Sequence, residues 1–109
     1  MKRKARPPRE RTLRRADERA RSSLAEDRER LFQLEPGGTP NRPIEVGSAS
    51  VVEAHALSMP CPRCDGSHEL IEHAAVTVDG VRLREVRLEC RQCGSRRSVF
   101  FRLHEERPN

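Results

Sequence analysis

A small, mostly β domain folded around four cysteines, preceded by a charged α-helix and a disordered basic arm, is the fold class this sequence predicts. Three observations carry the prediction. The cysteines fall as two matched pairs, Cys61/Cys64 and Cys90/Cys93. Asp79-Gly80 sits between Val78 and Val81, a strong signal for a two-residue hairpin because both turn positions want positive φ. Residues 10–35 hold Arg, Glu, Leu and Ala without Gly or Pro, the composition of a helix.

Composition narrows the class further. The chain has 109 residues, 36% charged and 34% apolar, with three Phe and no Trp or Tyr. That is enough for one small domain with tails, and too polar for a large enzyme with a deep substrate pocket. No apolar run approaches the roughly 20 residues that span a bilayer. Met1-Lys2-Arg3-Lys4-Ala5-Arg6 has no apolar stretch behind it, so no secretory signal is read there. The expected setting is cytoplasmic, with no membrane and no small-molecule substrate. The net charge of +5 is unevenly placed. Residues 1–15 carry eight Lys or Arg and one acid; residues 16–59 carry five and eight, and residues 60–109 nine and eight. The basic character therefore belongs to an arm.

Taken in order, residues 1–9 gather Lys2, Arg3, Lys4, Arg6 and Arg9 around Pro7-Pro8, and self-repelling charge with two prolines predicts disorder. The helix follows over 10–35. Pairs at i, i+4 (Glu10/Arg14, Asp17/Arg21, Glu26/Arg30) support it by about 0.2–0.5 kcal/mol each. Its apolar stripe is thin: Leu13, Ala16, Ala20, Leu24, Leu31 and Leu34, interrupted by Asp27. Pro36-Gly37-Gly38 ends it, and residues 36–43 read as a Pro/Gly linker. The β domain spans 44–104, with a tail over 105–109. Ile44 and Val46 alternate with Glu45 as a short strand. Ser50 to Leu57 is read as a longer strand, with a helix over Ala49 to Leu57 as the alternative. Glu69 to Val78 and a return strand from Val81 to Cys90 form the hairpin. Apolar positions on the return strand are odd-numbered before Arg84-Glu85 and even-numbered after, which predicts a β-bulge there. A last strand carries Val99, Phe101 and Leu103 on one face and Phe100 on the other.

The chemistry lies in Cys61-Pro62-Arg63-Cys64 and Cys90-Arg91-Gln92-Cys93-Gly94. Two thiolates three positions apart grip one ion from a single tight turn, and two such turns complete a tetrahedral, closed, structural Zn²⁺ site. A redox dithiol needs a βαβ context this region lacks, and iron uses the same spacing. Two short cysteine turns, each beside a β-hairpin and followed by a terminal strand, resemble the zinc ribbon group over residues 59–103. Such turns often place Gly directly after the second Cys. Here Asp65 intervenes before Gly66, which is expected to loosen the first turn. Zinc ribbons of transcription elongation factors carry an adjacent Asp-Glu pair at a hairpin tip, whereas this tip offers the single acid Asp79, so that activity does not transfer. The ribbon's expected core is Leu70, Ile71, Val76, Val78, Val86, Leu88, Val99, Phe101 and Leu103. It is too small to fold alone, so the metal is expected to be required for folding. His68, four residues past Cys64, is expected to be solvent-exposed, the alternative being a substitute ligand or a place just behind the ligands, and His55, His73 and His104 are expected to be surface positions.

No Ser-His-Asp order, Gly-rich phosphate loop or pocket-forming acid pair is present, and the chain is read as a non-enzyme. The leading expectation is a zinc ribbon protein that binds DNA or RNA, or a protein complex acting on it. Its contacts would be Lys2, Arg3, Lys4, Arg6, Arg9, Arg11, Arg14 and Arg15 on the arm and early helix, and Arg82, Arg84, Arg96 and Arg97 on the ribbon. Phe100 is available to stack a base. The alternative is a protein-interaction adaptor using the helix and the ribbon. It rests on Leu24, Leu31, Phe32 and Leu34, which have no core to enter across the linker. A redox-sensing zinc-thiolate protein is the third reading.

Overall fold

The computed structural model describes residues 9–104. Helix α1 spans Glu10–Leu34 and strand β1 Ile44–Val46; a single 3-10 turn over Ala49–Val51 runs into helix α2, Val52–Ser58. Strands β2 (His68–Val78), β3 (Val81–Cys90) and β4 (Arg96–Leu103) complete one four-stranded sheet of order β1-β4-β3-β2. β1 lies parallel to β4, and the other neighbours are antiparallel. The expected tail, and the arm up to residue 8, lie outside the described residues.

Arg9 holds the extended backbone that precedes α1. Arg14 pairs with Glu10 at 3.6 Å, while Arg30 pairs with Asp27 at 3.7 Å rather than with Glu26. The helix stops where Glu35 turns extended and Pro36 withholds an N–H. Gly37 then takes φ 91°, open to glycine at little cost. A Cβ there would sit 2.7 Å from Ile44 Cδ1. The Gly37 carbonyl accepts from the Phe100 N–H at 2.9 Å, and Arg42 Nη1 donates to the Leu34 carbonyl at 2.5 Å, satisfying one of the helix's orphan acceptors. The end of α1 and the loop after it are thereby tied to the sheet.

Residues 50–57 are not a strand. Ser48 accepts from the Ser50 N–H at 3.2 Å, a polar start signal for the helical turn. Val52 and Ala56, one turn apart, are fully buried against the sheet. The i, i+4 spacing prevailed over the β-branched content. The expected bulge at Arg84-Glu85 is also absent: β3 keeps one register with β2 from Val81 to Arg87 and with β4 from Arg84 to Glu89. The extra residue lies on β2 between Leu70 and Glu72, leaving Ile71 48% exposed. The change of phase along β3 has a different cause, since the strand buries residues on both faces. Val86 and Leu88 face the core, and Leu83 is buried on the opposite face.

The core comprises Phe32, Val46, Val52, Ala56, Val86, Leu88, Val99 and Phe101, bordered by Ile44, Met59, Leu70 and Leu103. It differs from the expected core by leaving out Ile71, Val76 and Val78 and by recruiting Val46 of β1, Val52 and Ala56 of α2 and one side chain of α1. Phe32, read as having no core to enter, is buried in this cluster. Among the described residues no helix is long and apolar enough to cross a membrane.

Candidate metal centre

The two cysteine turns are built alike. In the first, the Asp65 N–H donates to the Cys61 carbonyl at 2.8 Å and the Cys61 N–H to the Gly66 carbonyl at 2.9 Å. In the second, the Gly94 N–H donates to the Cys90 carbonyl at 3.0 Å and the Cys90 N–H to the Ser95 carbonyl at 2.9 Å. Asp65 takes φ 62° and Gly94 φ 76°. The expectation that Asp65 loosens the first turn is therefore corrected. Asp65 adopts the left-handed conformation itself, which short polar side chains tolerate, and both turns close identically.

The β2–β3 pairing brings the turns together, since His68 at the start of β2 is the partner of Cys90 at the end of β3. All four sulfurs lie within 4.8 Å of one another. Cys61 and Cys93 Sγ are 3.7 Å apart, and Cys64 and Cys90 Sγ 3.4 Å. The backbone N–H groups of Gln92 and Cys93 donate to Cys90 Sγ at 3.4 Å each. Ser95 Oγ lies 3.0 Å from Cys93 Sγ and 3.6 Å from Cys61 Sγ. Gly66 is walled in, because a Cβ would meet Gln92 Cβ at 2.9 Å, Cys90 Sγ at 3.0 Å and Cys64 Sγ at 3.2 Å.

The thiols differ in acidity. Burial works against ionisation of Cys61, but hydrogen bonds from the Ser95 hydroxyl and the backbone outweigh it and bring the thiol down to about 6. Backbone hydrogen bonding, chiefly from the Cys93 N–H, also lowers Cys90. At Cys64 the Gly66 backbone favours the thiolate, but desolvation and the three neighbouring thiols prevail and push it up to about 12. Four sulfurs this close resist being thiolates together unless a cation lies among them. The quartet is positioned to hold a metal ion.

Beside the four cysteines lies a polar cluster that the sequence reading missed. Arg97, expected to face a nucleic acid, is instead 8% exposed. Its Nη2 donates to Ser95 Oγ at 2.8 Å and to Glu29 Oε2 of α1 at 3.1 Å, and Nε reaches Glu29 Oε1 at 3.4 Å. Nη1 bonds His68 Nε2, and the guanidinium carbon sits 5.9 Å from the Phe32 ring centroid. His68, expected in solvent, is 4% exposed, and its Nδ1 lies 2.8 Å from the Met59 carbonyl. That contact puts the ring proton on Nδ1 and leaves Nε2 to accept from Arg97. A signal for this cluster exists in the sequence. Cys61 and Cys90 are 29 positions apart, as are Gly66 and Ser95, and His68 and Arg97. Overlaying the turns pairs His68, the first residue of β2, with Arg97, the second of β4, in the two strands that leave the cysteine turns.

The other candidates are scattered. Arg11, Arg14 and Arg15 are exposed on α1. Arg96 is exposed but lies 3.8 Å from Glu89. Arg82 is exposed and Arg84 half-buried near the β2–β3 turn. Lys2, Arg3, Lys4 and Arg6 lie outside the described residues. His55 and His104 are exposed as expected; His73 is half-buried, 3.1 Å from Glu53 of α2, and its Nε2 has no hydrogen-bond partner among the described residues. No family model matches the chain, and neither does any curated protein or solved structure.

Proposed function

We propose that this chain is a non-enzymatic zinc ribbon protein that binds nucleic acid, or a machine acting on nucleic acid, through its basic N-terminal arm. The observation that carries the metal half is the sulfur quartet. A tetrahedral site with Zn–S bonds of about 2.3 Å has sulfurs about 3.8 Å apart, close to the 3.4 and 3.7 Å separations of the two turns. Gly66 supplies the room, and the lowered Cys61 and Cys90 thiols supply ready thiolates. Four soft ligands fill the coordination sphere, leaving no position for a catalytic water.

The nucleic-acid half is supported by charge placement. Residues 1–15 carry eight of the 22 Lys and Arg and only one of the 17 acids. Each phosphate such a segment neutralises releases counterions and makes binding steeply salt-dependent. The test combines metal analysis with binding of fluorescent DNA and RNA by the zinc-loaded chain across salt concentrations. Removal of residues 1–15 is expected to abolish most of the affinity. Binding that ignores salt would refute the proposal.

One observation favours a second reading, that of a protein-interaction adaptor. Leu24, Leu31 and Leu34 of α1 are 51%, 60% and 65% exposed, an apolar edge without cover among the described residues. Affinity purification with and without nuclease separates the two readings, because a protein bound to this edge survives nuclease and one bridged by nucleic acid does not.

A further inference from the structure

The sheet's arginines divide by position. Near the metal centre each has an acid: Arg87 lies 3.5 Å from Glu72, Arg96 3.8 Å from Glu89, and Arg97 3.1 Å from Glu29. At the other end, Arg82, Arg84 and Arg102 have no acid within 4.0 Å among the described residues. These three line a single concavity of about 830 Å³, where β3 runs on past its last pairing with β4, Arg84 with Phe101. Its apolar lining includes Leu83, Val81 and Leu103; His104 and Glu45, 3.7 Å apart, lie at the β1 side.

We infer that this concavity is a binding site for a short stretch of single-stranded nucleic acid, an inference that rests on the nucleic-acid reading above and gives it a second, structured contact. Arg82 and Arg84 leave β3 on the face of Phe101 and Arg102 leaves β4 on the other face, so cationic residues flank the recess from both sides against one carboxylate. That is the sign of charge phosphodiesters require, and guanidinium pairs with phosphate oxygens bidentately. The recess falls within the roughly 300–1,000 Å³ of ligand-sized sites. Its apolar lining suits an unstacked base, and arginine planes supply a surface on which a base stacks. A duplex keeps its bases stacked inside and offers this recess only its backbone, so single strands bind preferentially. The N-terminal arm supplies non-specific attraction, and the recess fixes where the strand lies.

The test uses the full chain, zinc-loaded, and anisotropy with a labelled 12-nucleotide DNA or RNA strand and with its duplex. R82A/R84A/R102A is expected to lose at least tenfold in single-strand affinity. Its salt slope should fall by about 2, at roughly 0.7 per phosphate contact for single strands. R87A, which removes a paired arginine at the other end of β3, should stay within twofold of the parent. Because Arg84 is half-buried, the exposed pair R82E/R102E serves as a second variant should the triple variant lose its metal or its circular dichroism. If the parent binds and both variants bind equally well, or the duplex is preferred, the recess is not the site, while the arm-based reading stands. If the parent binds no nucleic acid at all, both fall together.

Discussion

Replacing Arg97 with alanine tests whether the polar cluster joins α1 to the four-cysteine end of the sheet. The guanidinium makes two bonds to Glu29, one to Ser95 and one to His68, and its side chain is 3% exposed. Removing one partner of a buried charge pair costs about 3–5 kcal/mol. Here the lower part of that range applies, because the Glu29 side chain is 19% exposed and water solvates it when it is abandoned. A loss of about 3 kcal/mol lowers Tm by about 12–24 °C in a domain of this size. The assay is urea unfolding followed by circular dichroism, with zinc saturating throughout so that metal occupancy does not differ between variants. Glu29→Gln is expected to cost about 1–2 kcal/mol, since the amide still accepts one bond. The double variant should cost less than the sum of the two singles by at least about 1 kcal/mol, the signature of directly coupled groups. A cost for Arg97→Ala below about 1 kcal/mol, or a coupling near zero, would refute the joint.

Two further predictions concern the metal. Gly66→Ala drives a methyl group to 3.0 Å from Cys90 Sγ, and overpacking of about 1–3 kcal/mol should weaken zinc binding at least fivefold in a competition titration with a colorimetric chelator. Gly47→Ala, with nothing within 4 Å of the added methyl, should be silent, and equal affinities would refute the crowding argument. Chelation at neutral pH should abolish the β-sheet circular dichroism of residues 59–103, because zinc contributes about 10–16 kcal/mol to such domains against a typical stability of about 5–15; an unchanged spectrum in metal-free protein would refute it. The same equilibrium has a pH sign. At pH 7 Cys61, at about 6, is mostly thiolate, whereas Cys64, at about 12, is still protonated. Binding therefore expels at least one proton, and the affinity should fall at least tenfold per unit of acidification below pH 7.

How far this fold was legible depended on how local its signals were. The cysteine turns, the Asp79-Gly80 hairpin and the start of α1 each follow from a few adjacent residues, and each stands where expected. Misreadings occurred where a distant element decides. Nothing near Phe32 announces that the chain turns back at Gly37 and buries that ring under β4. Arg97 looks like its neighbour Arg96 in sequence, yet one is buried and the other exposed, because only Arg97 shares the core face with Leu88, its β3 partner. Residues 50–57 hold both a β-like composition and a helical spacing of their buried pair, and the sheet selected the latter by needing cover. The bulge was assigned to the wrong strand because apolar phase alone does not say which of two paired strands gains a residue, or whether a strand has two buried faces.

The matching build of the two cysteine turns explains why the buried polar cluster sits where it does. Each turn ends in a residue whose carbonyl accepts from its first cysteine, Gly66 in one and Ser95 in the other. A glycine is required on the crowded side, where no Cβ fits. On the other side the serine hydroxyl accepts from Arg97 and so keeps its own proton for a sulfur. Two positions further on, the equivalent residues differ again, as histidine and arginine, and a pair of neutral or of cationic groups there would do less. The histidine, its proton committed to Met59, offers a lone pair, and the arginine has five donors to distribute. One donor therefore serves the histidine, one the serine beside the sulfurs, and two the carboxylate on α1. The sulfurs need a hydrogen-bond donor and the helix needs an anchor, and a single guanidinium orients the serine that supplies the first and itself supplies the second. Loosening of α1 should consequently accompany weaker zinc binding in Arg97 variants, whereas Phe32→Ala, which empties the core without touching Ser95, should loosen the helix alone.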